Sequence, residues 1–245
     1  MSFPFEGQRA LVTGAAGGLG QAVGARLKRS GVQVVGLDRV PPADLCVDLA
    51  ALPGTREALA AALDAEPVQI VVHCAATTAM TTFEATSLED WSRVMEVNAG
   101  GTFNLLQAVL PYLRRQGYGR VVLVASIAAD FGYRFPAYSA SKAAMIALAK
   151  SAAVEYAQHG ITVNVVSPGR ILTALAPPST AGELAERVPV GRGASPDEVA
   201  AAVCALVAPD MGYVTGANLV CDGGMSSVFA LHGLGPYSSV DRSTG

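Results

Sequence analysis

Seven short apolar runs punctuate the chain: Arg9–Thr13, Val32–Leu37, Leu45–Val47, Val68–His73, Val121–Ala125, Ile161–Val166 and Ala217–Val220. Most are apolar without alternation, as expected of strands buried on both faces rather than half-exposed ones. Between them lie stretches with helical composition at 21–30, 53–65, 91–97, 103–115 and 142–158, and a last one opened by Ser195-Pro196-Asp197-Glu198, a Ser cap followed by Pro at the first helical position. Strand and helix alternating in this way predict an α/β fold: a doubly wound parallel sheet of about seven strands with helices on both faces.

Composition adds bounds. With 51% hydrophobic and 15% charged residues in 245, the chain can bury a large core. No linker divides it, so residues 1–224 are expected to form one domain, with 225–245 a tail lacking periodicity that packs on a neighbouring subunit or frays. A net charge of −3, without basic runs, carries no nucleic-acid signature. Met1 to Glu6 lacks a signal peptide's basic start and apolar core, and no apolar run approaches the ~18 residues of a membrane span, so a cytoplasmic protein is expected. Cys46, Cys74, Cys204 and Cys221 are scattered, as are His73, His159 and His232, which argues against disulfides and metal sites.

The first strand runs into Gly14-Ala15-Ala16-Gly17-Gly18-Leu19-Gly20 before a helix. Glycines there permit a tight turn and close backbone approach, and the helix N-terminus offers N–H groups to a pyrophosphate. Asp38, ending the second strand, suits the adenosine ribose hydroxyls and would repel a 2′-phosphate, which favours NAD over NADP. Arg39 is discordant: it either covers the adenine or faces solvent. Asp48 and Leu49, after the third strand, are placed to meet the adenine.

Tyr138 and Lys142, four apart at the head of an Ala-rich helix, share a helix face. Such pairs are ordinarily solvated neighbours. Here an adjacent ammonium is expected to lower the phenol pKa from about 10 and make Tyr138 a usable general acid or base. Ser126, where the 121–125 strand ends, is placed to hold a substrate oxygen. Asn98 precedes Ala99-Gly100-Gly101 and is expected to cap or kink the backbone, or to offer its amide to a water. Phe131, Tyr133 and Phe135, between Ser126 and Tyr138, either wall an apolar substrate pocket or anchor their loop. Pro168, Gly169, Ile171 and Thr173 follow the 161–166 strand, where ligands bind in open α/β sheets. The Pro- and Gly-rich stretch 180–193 is a candidate mobile lid.

In order and spacing, Thr13-Gly14-x-x-x-Gly18-x-Gly20, Asp38, Asp48, Asn98, Ser126, Tyr138-x-x-x-Lys142, Pro168-Gly169 and Asp222-Gly223-Gly224 resemble the short-chain dehydrogenase/reductase family over about 8–224. The resemblance implies a single-domain Rossmann-type fold and an NAD-dependent enzyme interconverting a secondary alcohol and a ketone, with oxidation as the expected direction. It further implies that Tyr138 exchanges a proton with the substrate, that Lys142 binds the nicotinamide ribose and lowers the Tyr138 pKa, and that Ser126 positions the substrate oxygen. Asn98 would hold a water linking Lys142 to solvent, and Ile171 and Thr173 would contact the nicotinamide carboxamide. Cys74, Ala75 and Ala76 would border the cofactor. They belong to His73-Cys74-Ala75-Ala76, which departs from the family's Asn-Asn-Ala-Gly and puts the local geometry in doubt. The family implies a homotetramer, or a homodimer, built on the helices at 103–115 and 138–158. Two alternatives remain: an NADPH-dependent carbonyl or β-ketoacyl reductase, against which Asp38 counts, and a non-catalytic dinucleotide-binding sensor.

Overall fold

The computed structural model describes residue 5 and residues 7–51, 54–65, 67–131, 133–173 and 187–227. Its strands are β1 (Arg9–Thr13), β2 (Gln33–Asp38), β3 (Leu45–Cys46), β4 (Ile70–His73), β5 (Gly119–Val124), β6 (Ile161–Pro168) and β7 (Asn218–Cys221). They form one seven-stranded sheet, every neighbouring pair parallel, in the order β3-β2-β1-β4-β5-β6-β7. The expected doubly wound sheet is what the chain forms.

Every residue of β4, β5 and β6 is buried, including the polar His73, Arg120, Thr162, Asn164 and Ser167 that interrupt their apolar runs. Side chains alternate between the two faces of a strand, so the sheet feeds two cores. On one face Val12, Ile70, Val72, Val122 and Val166 pack with Val23 and Leu27 of α1 (Gly18–Arg29) and with Val199 and Val203 of α6 (Pro196–Leu206). On the other, Leu11, Val71, Val121, Leu123 and Val163 meet α2 (Gly54–Ala65), α4 (Gly101–Gln116) and α5 (Pro136–Tyr156) through Leu59, Leu105, Leu113 and Met145. The short α3 (Leu88–Met95) begins at Ser87, whose hydroxyl accepts from the Asp90 N–H. In α6, Ser195 and Glu198 form a reciprocal capping box.

Several helices start a few residues earlier than expected. α1 begins at Gly18 rather than Gln21; α5 begins at Pro136, two residues before Tyr138, because Pro pre-sets helical φ and loses no needed donor at the first position. α3 and α4 likewise begin a turn or less early, at Leu88 and Gly101 rather than 91 and 103. Tyr138 therefore sits in the first turn of α5. Between α3 and α4 the backbone widens into a π-helical turn, Glu96–Gly100. A side chain at Gly101 would press on Leu49 Cβ at 3.3 Å, which accounts for glycine there. Of the expected lid, residues 180–186 lie outside the described residues. Of the expected tail, Met225–Ser227 form a 3-10 turn and the remainder lies outside them.

From β1 the sheet grows one way to β2 and β3 and the other way to β4 through β7, so the crossover direction reverses between β1 and β4. In such sheets a crevice opens beyond the carboxyl ends of the strands at that reversal.

Candidate active site

The glycine loop leaves β1 at Gly14, which adopts φ +67; a Cβ there would sit 2.7–2.9 Å from the backbone of Cys74 and Ala75. A Cβ at Gly20 would overlap the Gly14 carbonyl. Both positions are closed to any side chain by backbone, so the loop can fold tightly against the β4 end. Gly17 precedes α1 without a capping side chain, leaving the first-turn N–H groups of α1 for an anion.

Beside the loop, the Asp38 carboxylate is fixed at both oxygens. Oδ2 accepts from the Ala16 N–H at 3.0 Å and Oδ1 from the Arg39 N–H at 2.7 Å. Asp38 ends β2 and Ser126 follows β5, three strand spacings apart, about 14 Å. A cleft of about 350 Å³ reaches both.

Gly14, Gly17, Gly18, Leu19, Gly20, Asp38, Arg39, Asp48, Leu49, Cys74, Ala75, Ala76, Ser126, Tyr138, Lys142, Pro168, Gly169, Ile171 and Thr173 all border this cleft. Val47, Thr77, Val97 and Val124 join them; lone apolar or small residues carry no chemical signature, and only their place beside the strand ends marks them. The residues present suit a dinucleotide: a glycine cradle, an exposed helix N-terminus and a fixed carboxylate share one cleft. Among the described residues no cluster of metal-ligating side chains occurs, and no helix is long and apolar enough to cross a membrane.

Ser126 caps the 3-10 turn Ile127–Ala129, its Oγ accepting from the Ala128 N–H at 3.1 Å, and its hydroxyl faces the Tyr138 phenol within hydrogen-bonding reach. Lys142 is buried, with 2% of its surface exposed. Its ammonium lies 5.7 Å from the centre of the Tyr138 ring and donates to the Val124 carbonyl at 2.8 Å. Burial pulls Lys142 from 10.5 down to about 8, partly opposed by the neighbouring Cys74 thiol. Tyr138 differs from the expectation. Burial raises its pKa, and the Ser126 hydroxyl, by hydrogen bonding, offsets only part of that rise. The Tyr133 phenol adds to the rise, and the Lys142 ammonium, committed to the β5 carbonyl, does not reverse it.

Asn98 also behaves differently. It is fully buried inside the π-helical turn and does not border the cleft. Its Oδ1 accepts from the Thr77 N–H at 2.8 Å, while Nδ2 donates to the Thr77 carbonyl and to Ser141 Oγ, each at 2.9 Å. The amide is thus fully used in tying the loop after β4 to α5 and has no hydrogen left for a water.

His73 answers the doubt raised by the departure from Asn-Asn-Ala-Gly. Fully buried, its Nδ1 lies 2.7 Å from Thr13 Oγ1, which also accepts from the Ala75 N–H at 3.3 Å. Imidazole and hydroxyl therefore brace β4 to β1. Burial first, and the Lys142 charge second, hold His73 neutral, down to about 3 from 6.5.

A second cavity of about 160 Å³ adjoins the first and shares Ser126, Tyr138, Gly169, Ile171 and Thr173 with it. Tyr133 and Phe135 line it, their rings edge to face at 5.1 Å. Phe131 does not; its side chain is 46% exposed, and its backbone N–H closes the turn on the Ile127 carbonyl. Thr78, Met80, Arg170 and Met225 complete the wall.

A Rossmann-like parallel sheet carrying Ser, Tyr and Lys beside a cleft that also takes in the glycine loop and Asp38 is the arrangement of an α/β oxidoreductase. Residues 48–226 match the protein family described as Enoyl-(Acyl carrier protein) reductase. Cyclohexanol dehydrogenase of Acinetobacter sp. (strain SE19) is 34% identical, over 93% of this chain and 98% of its own. The 3-oxoacyl-acyl-carrier-protein reductase FabG of Escherichia coli (strain K12) is 35% identical, over 91% and 99%. The crystal structure of a short-chain dehydrogenase/reductase from Burkholderia thailandensis superimposes with a TM-score of 0.83 at 33% identity, over 90% of this chain and 93% of that one. The chain belongs to the short-chain dehydrogenase/reductase family.

Proposed function

We propose that the protein is an NAD(H)-dependent oxidoreductase that interconverts a secondary alcohol and a ketone. The observation that carries the cofactor choice is the Asp38 carboxylate, held by two backbone N–H groups at the end of β2 on the cleft wall. A carboxylate so placed accepts from the ribose hydroxyls and opposes a 2′-phosphate. Of the residues bordering the cleft, the α1 N-terminus and the glycine loop would receive the pyrophosphate, Asp48 and Leu49 the adenine, and Ile171 and Thr173 the carboxamide. When bound, the nicotinamide supplies hydride transfer to or from the carbinol carbon.

The chain's own residues handle the oxygen. A substrate oxygen between the two hydroxyls takes over the hydrogen bond that Ser126 gives Tyr138, and Tyr138 takes the alcohol proton during oxidation or returns it during reduction. Lys142, on the cleft wall, would bind the nicotinamide ribose, and its ammonium would favour the phenolate wherever it faces the phenol rather than the Val124 carbonyl. Asn98 acts by position, fixing Thr77 and Ser141. Exposed apolar side chains on α4 and α5, Phe103 and Val154, support assembly through these helices into a homotetramer. The test is turnover of a panel of secondary alcohols with NAD. Wild type oxidises at least one, and Tyr138→Phe loses at least a hundredfold in kcat while still binding NADH. Equal turnover by the Phe variant would overturn the role of Tyr138.

A second reading, reduction of 3-oxoacyl thioesters, is favoured by the relationship to the FabG reductase of Escherichia coli. Faster reduction of acetoacetyl thioester with NADPH than of any simple ketone with NADH would establish it.

A further inference from the structure

The second cavity carries information about the substrate that the catalytic residues do not. It opens against Ser126 and Tyr138, so whatever fills it is attached to the reacting carbon. Its volume is about 160 Å³. An apolar cavity of about 150 Å³ accommodates benzene, so this one is matched to a single six-membered ring. Met80, Ile127, Phe135 and Ile171 give it an apolar wall, and among its described lining residues there is no carboxylate to attract an amine. Tyr133 bounds it through a ring fixed edge to face on Phe135, while 44% of its own surface faces solvent. It therefore stands between the cavity and the outside.

On the reading of the site as an alcohol–ketone oxidoreductase, we infer that this cavity selects compact alicyclic or aryl-sized secondary alcohols and ketones, and that Tyr133 is the residue that sets the upper limit of size. Larger apolar ligands gain affinity with buried area wherever there is room. A preference for the smaller ring is therefore the signature of a wall rather than of hydrophobicity. The hydroxyl of Tyr133 is not needed for this role; the ring is.

The test is isothermal titration calorimetry of cyclohexanone, 2-decalone and 2-decanone against wild type, Tyr133→Ala and Tyr133→Phe, each saturated with whichever oxidised dinucleotide it binds. No hydride can move in such complexes, so the ranking is read even if the protein oxidises no alcohol, and failure of the catalytic reading is seen separately in the turnover panel. Cyclohexanone is expected to bind wild type and Tyr133→Phe at least tenfold more tightly than 2-decalone or 2-decanone. Tyr133→Ala is expected to lose at least tenfold of that preference. Equal or tighter binding of the larger ketones by wild type, an unchanged ranking in Tyr133→Ala, or no binding of cyclohexanone would each overturn the inference.

Discussion

Replacing Lys142 by Met is expected to stabilise the ligand-free protein while abolishing turnover. Burial lowers the ammonium from 10.5 to about 8, so below pH 8 the folded state carries a charge it would rather release. At about 1.4 kcal/mol per pH unit, that lowering of about 2.5 units costs about 3 kcal/mol. Met has a similar length and no charge, but it withdraws a donor from the Val124 carbonyl, at a loss of about 1–3 kcal/mol. The net expectation at pH 7 is a gain of about 1 kcal/mol.

The sign changes with pH. A folded pKa below the unfolded one means stability that is fully present above about 10.5 and lost as pH falls toward about 8. Wild type therefore gains about 2 kcal/mol between pH 7 and 9.5, and the variant does not. Urea unfolding of both proteins at the two pH values measures this. A variant less stable than wild type at pH 7, with a difference that stays constant to pH 9.5, would refute the argument that the site holds a desolvated cation at a cost in stability.

Other outcomes follow from the same geometry. His73, lowered from 6.5 to about 3, lends stability that is present above pH 6.5 and lost as pH falls toward 3, by about 1.4 kcal/mol per pH unit within that window; His73→Asn flattens this stretch of the urea-stability profile. Gly14→Ala places a Cβ on the backbone of Ala75 in a left-handed conformation and costs at least about 2 kcal/mol, with loss of NADH binding, both read by thermal unfolding with and without the cofactor. Ser195→Ala removes the α6 cap and costs about 1 kcal/mol in urea without altering the Kd for NADH.

Much of this site was legible in the sequence because its parts sit at fixed offsets from strand ends. Gly14 to Gly20 follow β1, Asp38 ends β2, Ser126 follows β5, and a parallel sheet brings all strand ends to one side. The Ala-rich composition marks α5 only from Lys142, and the Tyr138/Lys142 spacing carries it back to 138; the remaining two residues, Pro136 and Ala137, come from how well Pro opens a helix. Properties set by three-dimensional surroundings were not legible. Whether Lys142 or desolvation governs Tyr138 depends on where the ammonium points, and it points to Val124. Asn98 is consumed by Thr77 and Ser141, residues 21 behind it and 43 ahead of it in sequence. Phe131 and Tyr133 are two residues apart in one loop, yet only the second reaches the cavity.

The claim on which the functional account turns is the choice of cofactor by Asp38. Fluorescence titration of the purified protein with NADH and NADPH in parallel, repeated on Asp38→Ser, tests it directly. The account predicts that wild type binds NADH at least tenfold more tightly, a difference of about 1.4 kcal/mol, and that Asp38→Ser erases most of that margin. Tighter binding of NADPH by wild type would contradict it, assign the 2′-phosphate to Arg39, and turn the protein into a reductase.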